Sequence, residues 1–178
     1  SCTSPATTAA YNGLYPQVFN NDLVDGSFGI TSKIFLDQMD PITGAIINTL
    51  EVPNSSQKGV PPTKDQIVTS FPSKSEIALN LSTDGRLLTF MGYRAPIDSI
   101  DVSNSNTPPA VDPTNPVGTN AQRVIADVDA HGKLRFTLST AYSGNNGRVA
   151  ILNNTNGANV IYTAGNAVMV AIRSPMAS

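Results

Sequence analysis

The sequence predicts an all-β chain, on three observations: strict alternation of apolar and polar residues over short runs, frequent turn-forming residues, and the absence of any helical stripe. Lys133 to Leu138 reads Lys-Leu-Arg-Phe-Thr-Leu, which puts Leu134, Phe136 and Leu138 on one face and Lys133, Arg135 and Thr137 on the other. No window of similar length repeats apolar residues at i, i+3, i+4 and i+7, and 13 Gly with 13 Pro cut the chain into short pieces. Helix content is expected to be near zero.

Residues 1–27 read as an N-terminal arm, small and polar at Ser1 to Ala10 like the start of a processed chain, and residues 28–178 carry the strands. Four hairpins follow in order. Ile34 to Leu50 turns at Asp40-Pro-Ile-Thr-Gly44, and Glu76 to Gly92 turns at Asp84-Gly85. Arg123 to Leu138 turns at Asp129 to Gly132, and Arg148 to Gly165 turns at Asn156-Gly157. Each turn holds a Gly that supplies the positive φ a short hairpin needs. The first and third hairpins match each other, with Met39-Asp40 against Val128-Asp129. The second and fourth also match, with Ile77, Ala78 and Leu79 against Val149, Ala150 and Ile151, and Phe90 against Tyr162. Val168 to Ile172 adds one more strand-like run. Between the hairpins, Arg94 to Asn120 is expected to be an irregular surface loop, because Pro96, Pro108, Pro109, Pro113 and Pro116 remove backbone donors.

Two hairpin types that alternate along a chain are what four-stranded propeller blades produce, an inner hairpin and an outer hairpin making one blade. The Asp-Pro-x-Thr-Gly turn at Asp40 to Gly44 and the Leu-Ser-x-Asp-Gly-Arg turn at Leu81 to Arg86 are of the kind common in bacterial blades. The stretches Ser73 to Tyr93 and Ala141 to Arg148 add to the resemblance. On these residues the chain, from about Phe28 to Ala167, resembles secreted β-propeller-like proteins of uncharacterised function. The resemblance implies a fold and no activity. Propellers have about four to eight blades, and about two are present here. The remaining blades are therefore expected on another polypeptide, from a precursor cut near Ser178. The alternative is a self-contained β-sandwich.

Composition narrows the function classes. Only 13% of residues are charged, about half the ~25% of typical globular proteins, and Asn, Ser and Thr fill the polar positions, as in secreted, extracellular proteins. A net charge of -2 and a pI near 5.2 offer no field for phosphates, so nucleic acid is not an expected partner. No run approaches the ~20 apolar residues of a membrane span. Cys2 is the sole cysteine, free or bonded to another chain, so no internal disulfide and no Cys-based metal site forms. Asn54, Asn80 and Asn153 begin sequons for N-glycosylation.

In a propeller the segments between blades and the mid-blade connection share one face. That places Val52 to Ser75, Arg94 to Asn120 and Ser139 to Gly147 around one channel mouth, the expected position of binding residues. Tyr142, Ser143, Asn145, Asn146 and Arg148 form the sharpest cluster, joining an aromatic ring, amides and a cation that suit a glycan or another neutral polar ligand. Their bland reading is a Gly-rich turn. Lys74 and Glu76 hold the equivalent place one blade earlier, as ligand contacts or as an ion pair.

No cofactor is expected. Ca²⁺ is the one ion with candidate ligands, Asp98, Asp101 and Asp112, or Asp37 and Asp40, yet no established Ca²⁺ spacing occurs. His131 lies in a turn and is a poor general base, and no nucleophile elbow, phosphate loop or dinucleotide fingerprint is present. The expected function is a non-enzymatic extracellular binding or structural module, with a glycan or a protein as ligand. The alternative is a propeller hydrolase or lyase whose catalytic residues lie mainly on the missing part.

Overall fold

Short apolar alternations become strands here wherever a polar turn closes them. At the first turn Asp40 Oδ1 accepts the N–H groups of Ile42 and Thr43, both at 2.8 Å, and Gly44 sits at φ 71°. A side chain with a Cβ would be strained there, so the Asp-Pro-Ile-Thr-Gly sequence specifies the hairpin by local bonds of its own. A computed structural model describes residues 30–59, 66–71, 77–99, 101–115, 117–166 and 169–173.

Eleven strands are present among them: β1 (Ile30–Ser32), β2 (Phe35–Met39), β3 (Ile46–Glu51), β4 (Thr69–Phe71), β5 (Asn80–Leu81), β6 (Leu87–Arg94), β7 (Gln122–Asp129), β8 (Leu134–Ser139), β9 (Gly147–Asn153), β10 (Val160–Gly165) and β11 (Met169–Arg173). All strand pairs are antiparallel, and the described residues include two single 3-10 turns but no α-helix. The chain is all-β, as its sequence predicts. The four expected hairpins are the pairs β2–β3, β5–β6, β7–β8 and β9–β10.

The sheets are stacked. The central one runs β5-β6-β7-β8, and its residues alternate between two cores. Phe90, Val124 and Ala126 pack with Ile34, Val52 and Ile67, with Leu36, Leu134 and Phe136 at the margin. Met91 and Ile125, from the same strands, pack with Ala150, Leu152 and Ile161 of the β9-β10-β11 sheet. Burying each such side chain is worth about 1.5–3 kcal/mol, which makes these two faces the main source of stability. A third cluster, Val68, Tyr93, Ala95, Val102 and Ala121, lies where β6 leaves the sheet.

The repeat match of Phe90 with Tyr162 places the two at like positions in sequence, but they face opposite ways. Phe90 is fully buried toward β2–β3, whereas Tyr162 points away from the central sheet and is 42% exposed. Both residues lie five positions after the turn glycine, Gly85 or Gly157, and the two hairpins pair in the same register, so what differs is the face that each hairpin turns to its neighbouring sheet. The segment between β6 and β7 is irregular, as the prolines predict, with a 3-10 turn at Val102–Asn104. It is not only surface, however. Val102, Ser103, Ser105, Asn106 and Thr107 are buried, because a buried arginine draws their backbone inward.

Candidate functional site

The long connection between β6 and β7 folds through its own short polar residues. Asp112 Oδ1 accepts the N–H and the hydroxyl of Thr114 at 2.8 and 2.7 Å, and Asn115 Oδ1 accepts the N–H of Val117 at 2.9 Å. Asn106 and Asp112 exchange two bonds, Asn106 Nδ2 to Asp112 O at 2.9 Å and Asp112 N to Asn106 Oδ1 at 3.2 Å. Asn115 Nδ2 then reaches Asn104 O at 2.9 Å. Local bonds of this kind let Asn and Asp hold a loop without regular structure.

The turn between β8 and β9 is stitched to that loop. Tyr142 at φ 64° and Gly144 at φ 72° wind it back on itself, and Gly144 N donates to Ser105 O at 3.0 Å. Ser143 Oγ accepts from Thr107 N at 2.9 Å and donates to Ala110 O. Beneath both lies Arg123, fully buried at the start of β7. Its Nη1 donates to Thr107 Oγ1 at 2.7 Å and Ala121 O at 2.8 Å. Its Nη2 donates to Ser103 O, Ser105 O and Asn145 O at 2.8, 3.1 and 2.7 Å. Hydroxyl and carbonyl dipoles thus surround the guanidinium, which also lies 5.2 Å from the Tyr93 ring centroid.

Between loop and turn lies an open cleft of about 820 Å³, walled by Asp101, Asn104, Asp112 and Asn115 on one side and by Ser143 and Asn145 on the other. The hydrogen bonds from the Thr114 hydroxyl and backbone N–H hold the Asp112 carboxyl below its ordinary value, so it is ionised at neutral pH. Asp101 Oδ1 accepts from Asn104 Nδ2 at 2.7 Å. Among the described residues, none hydrogen-bonds the carboxamide of Asn145, which is half-exposed at the cleft wall. The wall therefore offers carboxylate acceptors and amide groups of both polarities. That chemistry binds hydroxyl groups.

Of the cluster read from the sequence, Ser143 and Asn145 line the cleft. Tyr142 lies behind it, with Met91, Ile125 and Ile161, and its hydroxyl pairs with Thr163 Oγ1 at 2.9 Å. Asn146 is buried and its carbonyl accepts from Asn166 N at 3.0 Å; Arg148 is half-buried on β9. Lys74 and Glu76 lie outside the described residues. Asp101 and Asp112 share the cleft, while Asp98 donates its N–H to Thr31 O. Asp37 accepts from Thr49 on the β2–β3 hairpin, and Asp40 holds its turn. Among the described residues no group of three or more His, Cys, Asp or Glu side chains is placed to hold a metal ion.

The site residues that sequence reading missed are Asn104, Asn106 and Asn115, hidden in a segment whose composition alone marked it as a loop. Arg123 left a faint signal, as the one cation in the run Arg-Val-Ile-Ala that opens a buried strand. No protein-family model, no curated protein and no solved structure matches this chain.

Proposed function

We propose that the chain is a non-enzymatic, extracellular binding module of a β-propeller-like protein, and that its cleft takes a neutral, hydroxyl-rich ligand, a glycan. The observation that carries this is the composition of the cleft wall. A sugar hydroxyl donates one hydrogen bond and accepts another, and the Asn145 carboxamide on one wall and the ionised Asp112 on the other offer both kinds of partner in a cleft already fixed by Arg123 and Ser143. Rigid walls lower the ordering cost of binding. A glycan array probed with the labelled chain tests this. Signal on a defined set of glycans, lost in Asn145→Ala, is the expected result, and a blank array overturns it.

The stacking supports the propeller. The central sheet is a meander of four sequential strands, as a blade is, and its two faces are covered by sheets that precede and follow it in the chain. The parallel bridge between Ala78 and Val149 aligns the first strands of consecutive sheets, as the inner strands of adjoining blades align. The outermost faces support a partner. Ile151 and Tyr162, paired across β9 and β10, are 37% and 42% exposed, and Phe35 and Ile47 at the other end are 52% and 62% exposed. Stacked repeats cover such faces with a neighbour, here the rest of the same propeller as a second chain. Native material should hold a second fragment that separates only in denaturant, and a lone monomer with a cooperative transition argues for a self-contained domain.

A further inference from the structure

We infer that Asn153 is the residue of this chain that carries an N-linked glycan, and that Asn54 and Asn80, which begin the same three-residue motif, do not. The three asparagines are separated by what their Nδ2 atoms do. Asn54 is fully buried after β3, and its Nδ2 donates both hydrogens, to Glu51 Oε1 at 2.9 Å and to Val52 O at 3.0 Å. Its Oδ1 accepts the N–H and the hydroxyl of Ser56, the third residue of the motif, at 3.0 and 2.6 Å. A sugar on Nδ2 would remove one donor and need space that a closed turn does not have. Asn80 Nδ2 bridges two elements, donating to Ala78 O and to Ala150 O, each at 3.2 Å. A sugar there would part β5 from β9.

Asn153 differs in each respect. It is half-exposed at the end of β9, beside the exposed residues Thr155, Asn156 and Gly157. Only its Oδ1 is engaged, accepting from Thr83 Oγ1 at 3.2 Å and from Thr155 N at 3.3 Å. Among the described residues nothing accepts a hydrogen bond from its Nδ2. An N-glycosylated asparagine keeps its carbonyl oxygen, so both bonds persist after modification. The ligand is an oligosaccharide delivered from a lipid-linked pyrophosphate donor. Asn153 Nδ2 forms the new bond to the sugar C1, the C1–O bond to the pyrophosphate breaks with its electron pair, the lipid pyrophosphate leaves, and the amide proton passes to the transferase.

The setting rests on the extracellular reading, but the test supplies the compartment itself. The full chain is expressed behind a secretion signal in a eukaryotic cell line, and soluble protein from medium and lysate is mapped by glycopeptide mass spectrometry. A glycan confined to Asn153, with Asn153→Gln losing the whole gel shift, is the expected outcome. A glycan on Asn54 or Asn80 in soluble protein, or none on Asn153, overturns the assignment. Thr155→Ala, which removes the motif's hydroxyl together with its bond to Thr83 Oγ1 at 2.7 Å, is expected to abolish the glycan as fully as Asn153→Gln, and Thr155→Ser, which keeps a hydroxyl, is expected to retain it. Failure of the extracellular reading would show separately, as retention of the native chain inside its own cell.

Discussion

Arg123 Nη2 donates to the carbonyl oxygen of Asn145 across 2.7 Å, tying the start of β7 to the turn that carries one wall of the cleft. The same nitrogen holds Ser103 O and Ser105 O, buried in the loop that carries the opposite wall, so one buried side chain ties the two together. Replacing Arg123 with Met leaves several buried carbonyls without a donor, at about 1–3 kcal/mol each when uncompensated. Urea unfolding of Arg123→Met is expected to show a loss of about 3 kcal/mol or more. A loss below about 1 kcal/mol would contradict the role given to Arg123.

Tyr142 faces the core, and its hydroxyl meets Thr163 Oγ1. Tyr142→Phe is therefore expected to cost about 1 kcal/mol, the worth of one buried hydrogen bond, and to leave ligand binding unchanged. Binding lost with stability intact would place the hydroxyl at the ligand instead.

Close approach of backbone fixes Gly165 as a glycine. A Cβ at Gly165 would lie 2.2 Å from Asn146 O and 2.6 Å from Tyr142 Cδ1, whereas one at Gly118 meets nothing within 4 Å. Gly165→Ala is expected to destabilise the chain by about 1–3 kcal/mol or more through overpacking, with Gly118→Ala near neutral as the control. Thermal unfolding of the pair measures the difference, and equal midpoints would contradict the packing described.

Strands and turns were legible because they rest on short-range rules. The turn at Asp40 to Gly44 announces itself by residues that bond to their own backbone, and Leu134 and Phe136 lie on one face as their alternation requires. Leu138, the third member of that face, is 43% exposed near the end of β8, where the core runs out. Ser143 and Asn145 were legible as members of a polar turn, but the wall opposite them was not. Asn104, Asn106 and Asn115 reach the cleft through bonds among themselves that no periodicity records. Tyr142 was misplaced for a related reason, since its φ of 64° turns the ring inward and a sequence does not display that angle.

Acid should loosen the hairpins together. The backbone N–H groups of Thr43 and Ile42 hold the Asp40 carboxyl below its ordinary value, the Ser82 hydroxyl and Arg86 N–H do so for Asp84, and the N–H groups of Lys133 and His131 for Asp129. A lowered folded-state pKa means that this stabilisation is fully present above the unfolded value of about 3.9, and is lost as pH falls through the folded values. The urea midpoint is expected to fall steadily with pH below about 4, and Asp129→Asn, which does not titrate there, should flatten that slope. An unchanged slope would remove Asp129 from this role.

The central claim is that the cleft between the β6–β7 loop and the β8–β9 turn binds a neutral glycan. Its most direct test is a ¹H–¹⁵N NMR titration of the full chain with chitotriose, cellotriose and mannotriose. Binding of at least one should shift the side-chain amide signals of Asn104, Asn115 and Asn145 together with the backbone signals of Ser143 and Gly144, and Asn145→Ala should weaken it at least tenfold. Shifts confined to other surfaces, or none with any of the three sugars at millimolar concentration, would contradict it.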